Sequence, residues 1–148
     1  MQQGREIPVD RVQELFDALT RGALDRFVAG CCPDLVLTVR GSGAMTTLVP
    51  RSEIVTWYRS MQDLAGTSFR SEVGLVLTED RTHVVLLRHV LTRGSVEYRY
   101  ETLNHCTLRG DDLASWFSHP VRSSEYARAW GIHLASERMP TDVRWSAS

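Results

Sequence analysis

The sequence predicts an α+β domain in which a strongly curved antiparallel sheet, a cone-shaped barrel in outline, carries three helices on its concave face. Three observations support this. Two helical segments open the chain, a third follows one short strand, and the second half, Thr67 to His119, alternates apolar and polar residues through four long strands. A curved sheet covered by helices encloses a cavity.

The elements follow in order along the chain. Asp10 is placed to cap a helix with Gln13 three residues on, and Val12, Leu15, Phe16 and Leu19 recur at helical spacing before Gly22 ends it. Residues 1–9 then form an N-terminal extension. A second helix places Leu24, Phe27, Val28 and Cys31 on one stripe, and Pro33 stops it. Leu35 to Arg40 reads as a strand. A loop opens at Gly41-Ser42-Gly43 and runs to Pro50, after which Ser52 caps a third helix with Ile54, Trp57, Tyr58 and Met61 inward. The single domain spans 10–134. Ala135 to Ser148 is a polar C-terminal extension that Trp145 can pin to the body or to a partner.

Composition narrows the functional classes. The chain has 148 residues, enough for one core of ordinary size. Its 17 basic residues, all arginine, are scattered among 18 acidic ones, so no basic stripe argues for nucleic acid. Cys31, Cys32 and Cys106 lack metal-site or disulfide-framework spacing and read as reduced core residues. With no apolar leader at Met1 to Val9 and no membrane-length segment, a soluble cytoplasmic protein is expected.

Strand alternation places Val96, Tyr98, Tyr100, Thr102, Asn104 and Cys106 on one face, and Glu97, Arg99, Glu101, Leu103 and His105 on the other. A two-residue loop at Arg93-Gly94 sets His89 opposite Tyr98, Leu87 opposite Tyr100 and His83 opposite Asn104. An apolar wall with a few hydrogen-bonding groups describes a pocket for a small hydrophobic molecule. Whether Arg70 and Glu72 enter it depends on a register that Glu79-Asp80 leaves open.

His89, flanked by Leu87 and Leu91, is the candidate base, since burial keeps an imidazole neutral. Its alternative is a core histidine satisfied by Tyr98. Asn104 can steady an enolate oxygen beside it, with Tyr98 and Tyr100. His83 reads as exposed or bonded to Asn104. His105 falls on the opposite face, and His119 shares that parity unless a bulge before Pro120 turns it inward. Tyr58, Trp116 and Ser118 stand where the third helix and the last strand approach the pocket. Arg40, beside the glycine-rich loop, can meet a carboxylate or enolate at its mouth. No ligand set for a metal is present, because His83 and His89 are six strand residues apart, about 20 Å, without matching carboxylates.

Four stretches carry a family resemblance: Leu19-Thr20-Arg21-Gly22-Ala23-Leu24-Asp25, Leu64-Ala65-Gly66-Thr67-Ser68-Phe69-Arg70, Arg93-Gly94-Ser95, and His119-Pro120 followed by Trp130. In these the region from Leu15 to Trp130 resembles the SnoaL-like branch of the nuclear transport factor 2-like superfamily, which includes ketosteroid isomerase, limonene epoxide hydrolase, scytalone dehydratase and polyketide cyclases. The resemblance implies the curved-sheet fold, a cofactor-independent pocket, and a homodimer through the outer sheet face, where Arg88, Glu97, Arg99 and Glu101 alternate in sign. The family's chemistry transfers less completely. The isomerase base position falls near Arg40 or Gly41, its tyrosine near Leu15 and its late aspartate at Asn104. The epoxide hydrolase aspartates fall near His89 and Ser118, and the aspartate three residues after the histidine of His-Pro is Arg122 here. Scytalone dehydratase, with pocket histidines assisted by tyrosines and an asparagine, is the loose analogy for His89, Tyr98, Tyr100 and Asn104. The expected activity is cyclisation or isomerisation of a hydrophobic, polyketide-like carbonyl compound, the alternative a non-catalytic binder that has lost the acid/base aspartate.

Overall fold

Three two-residue loops, Asp80-Arg81, Gly94-Ser95 and Gly110-Asp111, fold the second half of the chain into a meander. It comprises β3 (Arg70–Glu79), β4 (Thr82–Arg93), β5 (Val96–Arg109) and β6 (Asp112–Pro120). The computed structural model describes residues 3–41 and 46–131, with side chains from Arg11 onward. The expected C-terminal extension with Trp145 lies outside the described residues.

The first half supplies α1 (Gln3–Thr20), α2 (Leu24–Ala29), β1 (Val36–Arg40), β2 (Thr46–Pro50) and, after a 3-10 turn at Arg51–Glu53, α3 (Ile54–Leu64); α4 (Ser123–Trp130) follows the meander. The sheet has six strands in the order β2-β1-β6-β5-β4-β3. β1 and β6 pair in parallel, Leu37 beside Trp116, while every other pair is antiparallel. With β2 and β3 as free edges the sheet is open, where the sequence suggested a barrel. The helical layer has four members. α4 joins the three expected ones and packs against β5.

Local signals were overridden at several points. α1 begins at Gln3, upstream of Asp10 and with Pro8 inside it, so Asp10 does not start the helix as its cap. α2 ends at Gly30, before Pro33. There Arg51 donates to the Val28 and Cys31 carbonyls at 2.9 and 3.1 Å, and the Gly30 backbone presses on α1. The segment expected to be loop up to Pro50 includes β2, whose Thr46, Thr47 and Val49 suit a strand. No Ser52 side-chain cap forms on α3.

A Cβ on Gly30 would run into the Leu15 side chain and the Arg11 guanidinium. Gly30→Ala is therefore expected to destabilise by about 1–3 kcal/mol, read as a lower urea midpoint. An unchanged midpoint would show that both side chains simply move aside.

The hairpin between β4 and β5 turns one residue later than the sequence suggested, at Gly94-Ser95, where Gly94 takes a φ of 64°. His89 thus pairs with Tyr100, Leu87 with Thr102 and Val85 with Asn104. A slip of two residues leaves every side chain on its expected face. On β3 the register shifts between Val73 and Leu75, a bulge centred on Gly74. It places Ser71 and Val73 inward, and Arg70 and Glu72 are exposed.

Candidate functional site

The core is built from the inner face of the sheet and the helices over it. Phe16 of α1, Phe27 of α2 and Trp116 of β6 meet edge to face at 5.2–5.8 Å and seal one end. At the other end Phe69, Tyr100, Tyr126 and Trp130 gather around His89. Between the two aromatic clusters lies a cavity of about 50 Å³. α1 contributes Leu19 and Thr20 to its wall and α3 contributes Trp57, Tyr58 and Met61.

The sheet supplies the polar groups, and they form one chain. His89 is 9 % exposed, its ring between Phe69 and Tyr100 with centroids at 5.5 and 4.6 Å. Its Nδ1 meets Ser71 Oγ at 2.7 Å and its Nε2 meets Thr102 Oγ1 at 2.9 Å. Asn104, 1 % exposed, donates through Nδ2 to Thr102 Oγ1 at 3.0 Å and accepts from Trp116 Nε1 at 2.8 Å. His89 and Asn104 therefore converge on the Thr102 hydroxyl rather than on open cavity.

Burial governs the protonation states. With no charged partner, desolvation pushes His89 down to about 3, so the imidazole is neutral at pH 7. Desolvation raises Tyr58, against an opposing hydrogen bond from Ser71, and raises Tyr100 and Tyr126, keeping all three phenols protonated. Cys31 is pushed up to about 12 and Cys106 is also raised by burial, so both stay thiols; the cysteines are free. No carboxylate faces the cavity among the residues that line it.

Of the residues singled out from sequence, the structure brings His89, Asn104, Tyr58, Leu87, Tyr100, Trp116 and Ser118 to this cavity. Others lie elsewhere. His119 stays on the outer face, because β6 alternates without a break from Trp116 to Pro120, and its Nε2 meets His105 Nε2 at 3.2 Å. Arg40 also projects outward, its guanidinium 5.9 Å from the Phe117 ring centroid, rather than at the pocket mouth. Tyr98 sits beyond the cavity under Arg93, 5.2 Å from its ring centroid, so the partner across from His89 is Tyr100. His83 is buried but bonds Thr78 Oγ1 at 2.8 Å, not Asn104, and its pKa is lowered by burial.

Ser71, Thr102 and Tyr126 are among the lining residues to which the sequence assigned no role in the pocket. Ser71 was hidden by the bulge, for which Gly74 is the local signal. Thr102 had the right parity but no assigned role. Tyr126 lies on α4, whose Tyr126 and Trp130 stand four residues apart, a helical spacing. Among the described residues no three His, Cys, Asp or Glu side chains cluster as a metal site, and no helix is long and apolar enough to cross a membrane.

No protein-family model matches the chain, and no curated protein sequence matches it. Solved structures do. Bal32a, from a soil-derived mobile gene cassette, superposes with a TM-score of 0.74 at 14 % identity, covering 84 % of this chain and 97 % of its own. IdmH, a proposed polyketide cyclase from Streptomyces antibioticus, gives 0.69 at 14 %, covering 84 % and 99 %. An NTF2-like protein from Burkholderia xenovorans gives 0.65 at 14 %, covering 84 % and 95 %. At such identities the likeness is one of architecture. The sheet order, the helical layer over it and these superpositions together establish that the chain has the nuclear transport factor 2-like fold.

Proposed function

We propose that this protein binds a compact, largely apolar molecule in the cavity between sheet and helices, and that binding rather than acid/base turnover is its activity. The observation that carries this reading is the state of His89. An imidazole depressed to about 3 by burial, with both nitrogens already engaged, is a poor general base at neutral pH, where a base poised near 7 works best. No carboxylate lines the cavity to take its place. At about 50 Å³ the cavity holds a few waters, well below the roughly 300 Å³ at which drug-sized sites begin. A guest larger than that must displace Trp57 or Met61, both only partly buried.

A panel of bicyclic and polycyclic ketones and phenols tests this by thermal shift and tryptophan fluorescence, with product analysis on every binder. At least one compound is expected to bind and return unchanged, and His89→Gln is expected to weaken it about tenfold. Turnover that His89→Gln abolishes would replace binding with the second reading, a cofactor-independent cyclase or isomerase of a polyketide-like carbonyl compound. The likeness to IdmH and the Ser71 hydroxyl held against His89 Nδ1 favour that alternative.

We also propose a homodimer through the outer sheet face. Leu75 and Leu77 on β3 are 51 and 57 % exposed there. Beside them Arg88–Glu101 and Arg99–Glu97 form surface ion pairs of both signs, a pattern that complements itself across a two-fold axis. Sedimentation is expected to show a dimer that Leu77→Glu weakens at least tenfold; a monomeric wild type would end the proposal.

A further inference from the structure

The outer face of the sheet carries a pair of side chains that the cavity does not use. The register sets His105 of β5 opposite Phe117 of β6 and Leu103 opposite His119, so the two histidines are diagonal neighbours on one face. Their Nε2 atoms stand 3.2 Å apart and their ring planes lie within 13° of parallel. Phe117 lies beside both, its ring centroid 6.3 Å from that of His105 and 5.9 Å from that of His119. β5 runs between β4 and β6, and β6 between β5 and β1, so both imidazoles stand on inner strands that hydrogen bonds hold from either side. Both side chains are half-buried, which leaves them open to water.

At 3.2 Å the two nitrogens share one proton, an N–H of one ring donating to the other. The same separation suits a shared metal ion. Two imidazole nitrogens bound about 2.0–2.1 Å from a tetrahedral ion stand roughly 3.3 Å apart. Neutral imidazole accommodates the exchange, because each ring keeps its one proton on Nδ1 when Nε2 coordinates. We propose that His105 and His119 together chelate a divalent ion of the zinc, nickel and copper group, which bridges β5 and β6 on the outer face. The donors set the selectivity, since imidazole suits those metals whereas magnesium and calcium take oxygen ligands. Among the described residues no third His, Cys, Asp or Glu joins the pair, so water fills the remaining positions. The nearby guanidinium of Arg40, 5.9 Å from the Phe117 centroid, adds no attraction for a cation, and affinity therefore comes from the two nitrogens alone. The site lies on the opposite face from the cavity, and its strands are two and three places from the β3 leucines. It rests on neither the pocket reading nor the dimer.

Calorimetric titration of the full, untagged chain with zinc, nickel and magnesium chloride tests the site. Zinc and nickel are expected to bind at one ion per chain, and magnesium not at all. Because the sheet holds the second nitrogen in place, its coordination is intramolecular, and His105→Gln or His119→Gln is expected to weaken zinc binding about a hundredfold. Both variants should keep the circular dichroism of the wild type. A second measurement needs no variant: in proton–nitrogen correlation NMR of the wild type, zinc should shift the Nε2 resonances of His105 and His119 together. Binding that both variants retain, or shifts confined to other residues, would overturn the site. A wild type that takes up neither zinc nor nickel would also overturn it, and magnesium bound as tightly as zinc would refute imidazole as the donor.

Discussion

Trp116→Ala is expected to destabilise the protein by about 4 kcal/mol or more, the largest effect of any single substitution considered for this fold. Removing a buried large aromatic costs about 3–5 kcal/mol, and Trp116 is 4 % exposed, with Phe16 and Phe27 edge to face on its ring. The loss also orphans the Asn104 oxygen, which accepts the indole proton in a site where little water can replace it. Against a typical total of about 5–15 kcal/mol, such a variant would be largely unfolded in modest urea. Trp116→Phe separates the two contributions. It keeps much of the packing and loses only the N–H, so about 1–3 kcal/mol is expected. Chemical denaturation followed by circular dichroism measures both, and a cost below about 1 kcal/mol for alanine would mean that the Phe16–Phe27 cluster closes over the gap.

Stability should also fall steeply in mild acid because of His89. Its folded-state pKa is depressed, so between about 6.5 and about 3 the unfolded chain binds a proton that the folded chain refuses. In that window unfolding takes up protons, and stability drops as pH falls by up to about 1.4 kcal/mol per unit. Above pH 6.5 both states are neutral and the contribution vanishes. Between pH 7 and pH 4.5 the His89 share is about 2.5 kcal/mol, and His83, also lowered by burial, acts in the same direction. Carboxylates titrate in this range too, so the informative quantity is the difference between wild type and His89→Gln. The variant should lose much of the acid sensitivity, seen as a smaller fall in urea midpoint between the two pH values. Parallel curves would mean that His89 accepts a proton in place.

The elements that could be read from the sequence share one property: their signals repeat. The meander from β3 to β6 declares itself by alternation over many residues, and parity assigned Tyr100, Thr102 and Asn104 to the core even with the hairpin misplaced by one residue. What failed depended on a single local event. The Gly74 bulge decides whether Ser71 or its neighbours face inward, and one strand read alone does not say where a bulge falls. β2 was hidden because its five residues follow a Gly-Ser-Gly signal typical of loops. For Arg40 and His119 the special pleading of a strand end or a proline neighbour lost to plain alternation, which sends both outward. α4 was missed because an eight-residue helix carries only two turns of periodicity.

The pairing of β1 with β6 bears on how the chain assembles. The hairpins from β3 to β6 close over loops of two residues and bring together neighbours in sequence. β1 instead enters between β2 and β6 by setting Leu37 beside Trp116, residues from opposite halves of the chain. Closing so long a loop loses chain entropy before any contact compensates for it. The meander is therefore expected to form early and to present the β6 edge as a template. The step that limits folding is then the late docking of the N-terminal third onto that edge, and until it happens the Trp116 side of the core stays open to water.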